Sequence, residues 1–182
     1  MSKQISILFI GCKGVGKNSF LSRWCDQEMQ DQDKINSVGL TFFLKKLIIH
    51  NIKYKVKVFY MLGQERMHRI IPKMTSGFDG IAFIYDVSSK NSFDMFPGWC
   101  EGMNYEHPII FIGNKSDLEE EVNQEEVNAL AHRINAKLFF TSTKTGENID
   151  TAMNSLINDI INDPNPVQRN ERNHREQTNC YG

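Results

Sequence analysis

A glycine-rich segment near the start of the chain constrains the fold more than any other feature. Residues 11–18 read Gly-Cys-Lys-Gly-Val-Gly-Lys-Asn, after an apolar run from Ile5 to Ile10 and before apolar residues at helical spacing. A strand, a glycine-rich loop and a helix in this order predict a phosphate cradle, because backbone N–H groups and the helix N-terminus face the same anion. Lys17 would reach the outer phosphates of a nucleoside triphosphate. An ordinary glycine turn between a strand and a helix is the alternative interpretation.

The composition is that of a soluble globular protein with one domain. The chain has 182 residues, of which 40% are hydrophobic and 24% are charged. Its net charge of −1 provides no overall field for nucleic acid or an acidic membrane. We find no apolar run long enough to span a bilayer, and the Met-Ser-Lys-Gln start predicts neither a signal peptide nor myristoylation. Dispersed cysteines predict a reducing, intracellular compartment; they are Cys12, Cys25, Cys100 and Cys180.

Short apolar runs alternate with helical patterns, which predicts an α/β fold with a mostly parallel sheet. The predicted strands cover residues 5–10, 42–49, 54–60, 81–85, 108–112 and 138–140. A tight turn near Asn51 is expected to join the second and third strands. In the third strand, apolar residues alternate with Lys55 and Lys57, as in a half-exposed strand.

Helices are predicted after the glycine-rich loop and between the later strands. One should begin near Asn91, with an interruption at Pro97 and Gly98. Another should begin at Asn123, which forms a capping box with Glu126. A last amphipathic helix runs from 149 to 161. We therefore predict one domain over residues 1–163 and a polar, disordered tail over residues 164–182.

A second motif, Asn114-Lys115-Ser116-Asp117, follows the predicted strand 108–112. The Asp117 carboxylate can accept hydrogen bonds from the N1–H and the 2-amino group of guanine, whereas adenine would leave it unpaired. Asn114 can bridge the base and the loop, and the Lys115 stem can cover the ring face. A third polar segment, Ser142-Thr143-Lys144, also follows a strand, so all three segments fall at the carboxyl edge of the sheet.

With these motifs together, the chain resembles the Rab family of small GTPases, within the Ras superfamily, from Ile5 to about Asn162. The resemblance also rests on Gly63-Gln64-Glu65-Arg66, on residues 80–87 with Ser92-Phe93, and on the segment 113–118. It implies a P-loop small-GTPase fold with a six-stranded sheet flanked by five helices. It further implies GTP or GDP binding, usually with Mg²⁺, and two switches read by effectors, exchange factors and GTPase-activating proteins.

The resemblance assigns roles to individual residues. The implied phosphate-binding residues are Lys13, Gly14, Val15, Gly16, Lys17, Asn18, Ser19 and Gly63. The implied guanine-binding residues are Asn114, Lys115, Asp117, Ser142, Thr143 and Lys144. Gln64 stands where the family orients the attacking water, and Phe42, Phe59 and Met74 stand where Rabs place an effector-reading triad.

The metal-binding positions depart from the family. The phosphate-loop hydroxyl, the first-switch Thr and the Asp after the third strand correspond to Asn18, Ser37 and Tyr60. Ser37 keeps a hydroxyl, but Mg²⁺ requires near-ideal octahedral geometry and short bonds, so weak or lost metal binding at Asn18 and Ser37 is expected. Lys13 would lie near the γ-phosphate, either replacing some of the metal's charge or simply facing solvent. Met29 stands where an aromatic residue normally stacks on the guanine.

Two functions remain open on these grounds. One is a guanine-nucleotide switch in vesicle traffic with weak hydrolysis. The other is a pseudo-GTPase module that holds GDP or no nucleotide and occupies Rab partners. Asp117 argues against a third function, an ATP-using P-loop enzyme. Nucleic acid is not an expected partner, and we expect a monomer.

The chain ends Asn179-Cys180-Tyr181-Gly182, which fits no prenylation signature well. Conventional prenylation at Cys180 is therefore not expected. We predict a mainly cytoplasmic protein, with transient contact with endomembranes.

Overall fold

A six-stranded sheet forms the centre of the protein in the computed structural model, which describes residues 2–25, 40–61, 71–103 and 106–164. The strands are β1 (Lys3–Ile10), β2 (Leu40–Ile49), β3 (Ile52–Met61), β4 (Gly80–Asp86), β5 (Ile109–Asn114) and β6 (Lys137–Thr141). Their order is β2-β3-β1-β4-β5-β6. The β2–β3 pair is antiparallel and the other pairs are parallel. The predicted α/β fold with a mostly parallel sheet is confirmed.

Helical segments flank this sheet. They are α1 (Lys17–Trp24), α2 (Ile71–Met74), α3 (Lys90–Asp94), α4 (Phe96–Cys100), α5 (Gln124–Arg133) and α6 (Ile149–Ile161). A 3-10 turn at Thr75–Gly77 follows α2. Since only Met95 separates α3 from α4, these two form one interrupted segment. With α3 and α4 counted as one, the described ranges contain five helical segments, the number that the resemblance implies.

The interruption of this segment lies earlier than predicted. It falls at Met95, not at Pro97 and Gly98, which are both within α4. Proline is tolerated in the first turn of a helix, where its missing N–H has no intrahelical partner. Pro97 therefore helps to start α4 instead of breaking it.

The start of α5 also differs in detail from the prediction. Asn123 is the N-cap residue, as expected, but its side chain accepts a hydrogen bond from the Glu125 N–H, at 2.8 Å. The predicted N-cap residue is therefore correct, but the predicted capping box with Glu126 is wrong, because the Asn123 side chain bonds to Glu125. A short Asn side chain can satisfy either the second or the third N–H of a helix.

The core lies on both faces of the central strands. Every residue of β4 and β5 is buried, as expected for parallel strands covered by helices. Gly80 allows close packing of α6 against β4, because a Cβ there would lie 2.6 Å from Ile160 Cδ1. The buried strands therefore fix the positions of the loops at their carboxyl ends.

The β2–β3 hairpin turns at His50 and Asn51, whose φ angles of 47° and 62° are both positive. Two such residues between Ile49 and Ile52 are typical of a type I′ turn, which matches the twist of the strands. The predicted turn near Asn51 is confirmed. The predicted alternation is also found: Val56 is buried between exposed Lys55 and half-buried Lys57.

Several predictions fall outside the described residues. They concern the loop bearing Met29 and Ser37, the segment with Gly63 and Gln64, and the tail with Cys180. The division into a domain over 1–163 and a tail over 164–182 stays a prediction. Across the parts of the chain that are described, no helix is long and apolar enough to cross a membrane.

Candidate nucleotide site

The glycine-rich segment forms the loop between β1 and α1. Gly14 and Gly16 have φ angles of 85° and 97°, in the left-handed region that favours glycine. Gly11 packs so closely on β4 that a Cβ would lie 2.3 Å from the Ile84 carbonyl oxygen. The loop therefore curls tightly over the carboxyl edge of the sheet and leads directly into the N-terminus of α1.

Lys17, the first residue of α1, points back into this loop. Its Nζ donates to the Gly11 and Cys12 carbonyl oxygens, at 2.6 Å each, and the residue is 8% exposed. A buried ammonium group needs such acceptors to offset its lost hydration. The loop thus holds a positive charge where the sequence predicts phosphate groups.

Asn114, at the end of β5, joins three loops through its fully buried side chain. Its Nδ2 donates to the Val15 carbonyl oxygen at 2.8 Å. Its Oδ1 accepts from Thr141 Oγ1 at 3.2 Å and from Thr143 N at 3.3 Å. A Cβ on Gly16 would lie 2.5 Å from Nδ2, so a larger residue would disturb this junction. The structure brings together the three segments that the sequence analysis singled out.

Asp117 lies beside the loop after β6. The Ser142 hydroxyl donates to its Oδ1 at 2.6 Å, and Lys144 Nζ lies 3.7 Å from its Oδ2. The Ser142 hydrogen bond and the Lys144 charge hold the pKa of Asp117 below its usual range. At neutral pH this residue is therefore a carboxylate acceptor at the edge of the site.

Lys115 is fixed by an ion pair with Asp86, at the end of β4, at 2.5 Å. Asp86 also accepts from the Ser88 N–H at 3.0 Å and from the Ser88 hydroxyl at 2.7 Å. Burial favours the neutral acid, but the hydrogen bonds from Lys115 and Ser88 outweigh it and lower the pKa of Asp86. The sequence analysis assigned no role to Asp86 and missed this one.

Arg23, on α1, is a second residue that the sequence analysis missed. Its guanidinium donates to the carbonyl oxygens of Thr143, Lys144 and Thr145 at 3.1–3.2 Å. A Cβ on Gly146 would lie 2.7 Å from Arg23 Nη2, so the loop bends closely around this group. An arginine among the apolar residues of α1 was the available signal, but its partners lie at least 120 residues away in sequence.

The two departures at the metal-binding positions contact each other. Tyr60, at the end of β3, is 4% exposed, and its hydroxyl lies close enough to the side chains of Asn18 and Thr41 for both to lower its pKa. Burial raises the pKa of Tyr60, although these two side chains oppose the rise. Tyr60 is therefore a neutral phenol at physiological pH. The Asn18–Tyr60–Thr41 cluster directly links the start of α1 to the start of β2.

Two of the three positions that the resemblance assigns to magnesium binding, Asn18 and Tyr60, lie within the described residues, and neither carries a carboxylate. Ser37 lies outside the described residues. Mg²⁺ is normally held by one or two carboxylates together with substrate phosphates.

The remaining candidate residues lie around this edge. Lys13 and Ser19 are exposed. Phe42 and Phe59 are half-buried neighbours on β2 and β3, with ring centroids 5.5 Å apart. Met74 is half-buried at the end of α2 and packs against the core. Two members of the predicted effector triad therefore lie together.

The fold and the three joined loops define the class of P-loop nucleotide-binding α/β proteins. The sequence profile of the Ras family matches residues 6–162, and the chain belongs to this family of small GTPases.

Curated relatives with Rab names cover most of the chain. It is 30% identical to Ras-related protein Rab-18 of Lymnaea stagnalis, over 93% of this chain and 86% of the relative. It is 32% identical to Ras-related protein Rab-11B of Dictyostelium discoideum, over 85% and 72%. It is 30% identical to Ras-related protein Rab-13 of Bos taurus, over 85% and 79%. The chain is thus a divergent, Rab-like member of a family that binds guanine nucleotides.

Proposed function

We propose that this protein is a guanine-nucleotide switch of intracellular vesicle traffic with weakened magnesium binding and slow hydrolysis. The observation that carries the proposal is the arrangement around Asp117. Its carboxylate is held ionised next to a loop that Asn114 fastens to the phosphate loop. In this proposal the residues that would bind the base and the loop that would bind the phosphates are therefore connected by hydrogen bonds.

In this proposal the Asp117 oxygens accept from the N1–H and the 2-amino group of guanine. Ser142 and Lys144 keep Asp117 charged, and Lys115, held by Asp86, covers one face of the base. Adenine has neither donor, so it would leave the carboxylate without partners. Discrimination against adenine then comes from the unpaired acceptor, not from the shape of the pocket.

The phosphate groups are assigned to the loop 13–19 and Gly63. Lys17 would exchange its carbonyl partners for phosphate oxygens, and the N-terminus of α1 adds its dipole. Gln64 is assigned to orient the attacking water. Phe42, Phe59 and Met74 are assigned to effector recognition, because they stand at the positions that Rabs use for it.

Base specificity is tested by competition between GTP and ATP analogues for the purified full chain. Guanine analogues should compete at least about tenfold better, the ratio expected from losing a charged hydrogen-bond acceptor. Asp117→Asn should lose this preference and gain xanthine nucleotides, because the amide donates to the 2-oxo group. Asp159→Asn, on α6, is a control for the loss of a surface charge. Equal binding of both nucleotides by the unmodified chain would contradict the proposal.

A pseudo-GTPase module is the second candidate, and the Asn18–Tyr60 contact favours it. This contact brings together two positions that support the metal in the family. Magnesium-dependent nucleotide exchange separates the two candidates. A switch with weakened magnesium binding should still release GDP faster when Mg²⁺ is chelated, by a smaller factor than an intact family member. A pseudo-GTPase should release GDP at the same rate with and without Mg²⁺, or contain none.

A further inference from the structure

The outward face of the β2–β3 hairpin carries a concentration of lysines. The strand register places Leu44 opposite Lys57, Lys46 opposite Lys55, and Ile48 opposite Lys53. Directly opposed residues of an antiparallel pair lie on the same face of the sheet. We call this surface, formed by Lys46, Lys53, Lys55 and Lys57, the basic face.

The basic face is not neutralised locally. Lys46, Lys53 and Lys55 are exposed, and within the described residues none of the four lysines forms an ion pair with a carboxylate. Lys46 and Lys55 oppose each other directly, and like charges in such pairs destabilise a sheet. An anion bound between Lys46 and Lys55 would offset this repulsion.

Directly behind the polar turn of His50 and Asn51, the hairpin exposes one apolar side chain on each face. Ile48 is 70% exposed on the basic face, and Ile52 is 37% exposed on the opposite face. Only one other large apolar side chain in the described ranges, Leu118, is similarly exposed. A flat protein partner lying on the basic face would cover Ile48 and leave Ile52 in water. Insertion of the tip end-on into a membrane interface would cover both.

A group of exposed glutamates lies far from this hairpin. They occur between β5 and β6, the two strands at the opposite edge of the sheet. They are Glu119, Glu120, Glu121, Glu125 and Glu126. Although the net charge is only −1, the lysines lie at one edge of the sheet and these glutamates lie near the other. Such a charge separation turns the basic face toward an anionic surface and the acidic edge away from it.

We propose that the β2–β3 hairpin docks end-on onto an anionic lipid bilayer. The polar turn of His50 and Asn51 enters the headgroup region together with Ile48 and Ile52, and the lysines contact lipid phosphates or carboxylates. Strands rise about 3.3 Å per residue, so Lys46 and Lys55 lie about 7 Å behind Ile48 and Lys53. That distance fits an interface in which apolar side chains penetrate about 5–10 Å.

The docked orientation leaves the candidate nucleotide site free. The hairpin tip is at the start of β3, whereas the nucleotide site is at the carboxyl ends of β1, β5 and β6. Membrane docking is therefore independent of the proposed nucleotide function, and either can fail without the other.

The test is co-sedimentation of the full chain with vesicles of phosphatidylcholine, with and without phosphatidylserine. We expect binding only to the anionic vesicles, and weaker binding as salt rises. Lys53→Glu with Lys55→Glu should reduce binding at least about 25-fold, since each lysine near such a surface contributes about fivefold. The carboxylate introduced at position 55 would face Lys46, so this variant should fold at least as well as the unmodified chain. Lys73→Glu with Lys90→Glu, an equal charge change on α2 and α3, should bind nearly as well as the unmodified chain.

The apolar tip is tested separately. Ile48→Ser should weaken vesicle binding about tenfold through lost apolar burial, whereas Ile48→Leu should retain it. Equal binding to neutral and anionic vesicles, or unchanged binding by Lys53→Glu with Lys55→Glu, would overturn the proposal. Binding of a glutamate-rich peptide without any vesicle binding would show that the basic face recognises an acidic protein, and would also overturn it.

Discussion

At the scale of single residues, the most informative contact joins Asn18 and Tyr60. Each looks unfavourable for a small GTPase when considered alone, because each occupies a position that normally supports the metal. In the structure their side chains lie close together, and Thr41 is close to the same hydroxyl. The two departures are therefore neighbours and not independent changes.

This contact should contribute to stability. Tyr60→Phe removes the shared hydroxyl and leaves Asn18 and Thr41 without that partner, so the free energy of unfolding should fall by about 1 kcal/mol. Urea denaturation of Tyr60→Phe, Asn18→Ala and the double variant measures the coupling between the two residues. Tyr54→Phe, on the same strand, is the control and should change little. Additive effects of Tyr60→Phe and Asn18→Ala would show that the contact has no energetic role.

Asp86 should make stability depend on pH. Its pKa is lowered in the folded protein, so its contribution is fully present above its ordinary pKa of about 4 and is lost as pH falls through the lower folded value. Asp86→Asn should therefore lower stability at neutral pH and lose less on acidification than the unmodified chain. Urea unfolding at neutral and acidic pH tests this. Identical pH dependence of the two proteins would exclude Asp86 as the source.

At the scale of structural elements, periodicity predicted nearly all of the sheet. Continuous apolar runs gave the central strands, and alternation with lysines gave the half-exposed β3. The position of the break between α3 and α4 was not predicted, because a proline can start a helix as well as end one. The partners of Arg23 were not predictable either, since its hydrogen bonds go to backbone carbonyls distant in sequence. Asn18 and Tyr60 were each recognised as departures, but their contact depends on how β3 packs against α1.

Arg23 links α1 to the loop after β6, and this link should tighten nucleotide binding. A guanidinium presents several donors in a fixed plane, whereas a lysine is a single point charge. Arg23→Lys should therefore speed the release of a fluorescent GDP analogue by about fivefold to tenfold, an effect of one or two lost hydrogen bonds. Arg133→Lys, at the end of α5, should leave the release rate unchanged. Equal release from both variants would mean that Arg23 does not order the loop.

At the scale of the whole molecule, the altered metal positions should affect the triphosphate state more than the diphosphate state. Phosphoryl transfer depends on neutralising charge that develops on the phosphate oxygens. With Asn18 and Tyr60 in place, we expect preferential GDP binding, weak dependence on Mg²⁺ and slow hydrolysis. Lys13 is a nearby cation that would soften this effect.

Single-turnover hydrolysis of GTP, with Mg²⁺ and with a chelator, tests this expectation. Tyr60→Asp combined with Asn18→Ser should raise the rate and make it depend on Mg²⁺. Tyr54→Phe again provides a control that leaves the site intact. An ordinary family rate in the unmodified chain, strictly dependent on Mg²⁺ and unchanged by the double substitution, would show that the metal site is functional.

The closeness of Asn18 and Tyr60 also implies that the two positions depend on each other. A chain with only one of the two replacements would depart from the family at that position and would lack the Asn18–Tyr60 contact. The replacements are therefore expected to be epistatic, each favourable only in the presence of the other. Reconstructed intermediates should be less stable than both the ancestral and the present pair, and reversion of one position alone should be selected against.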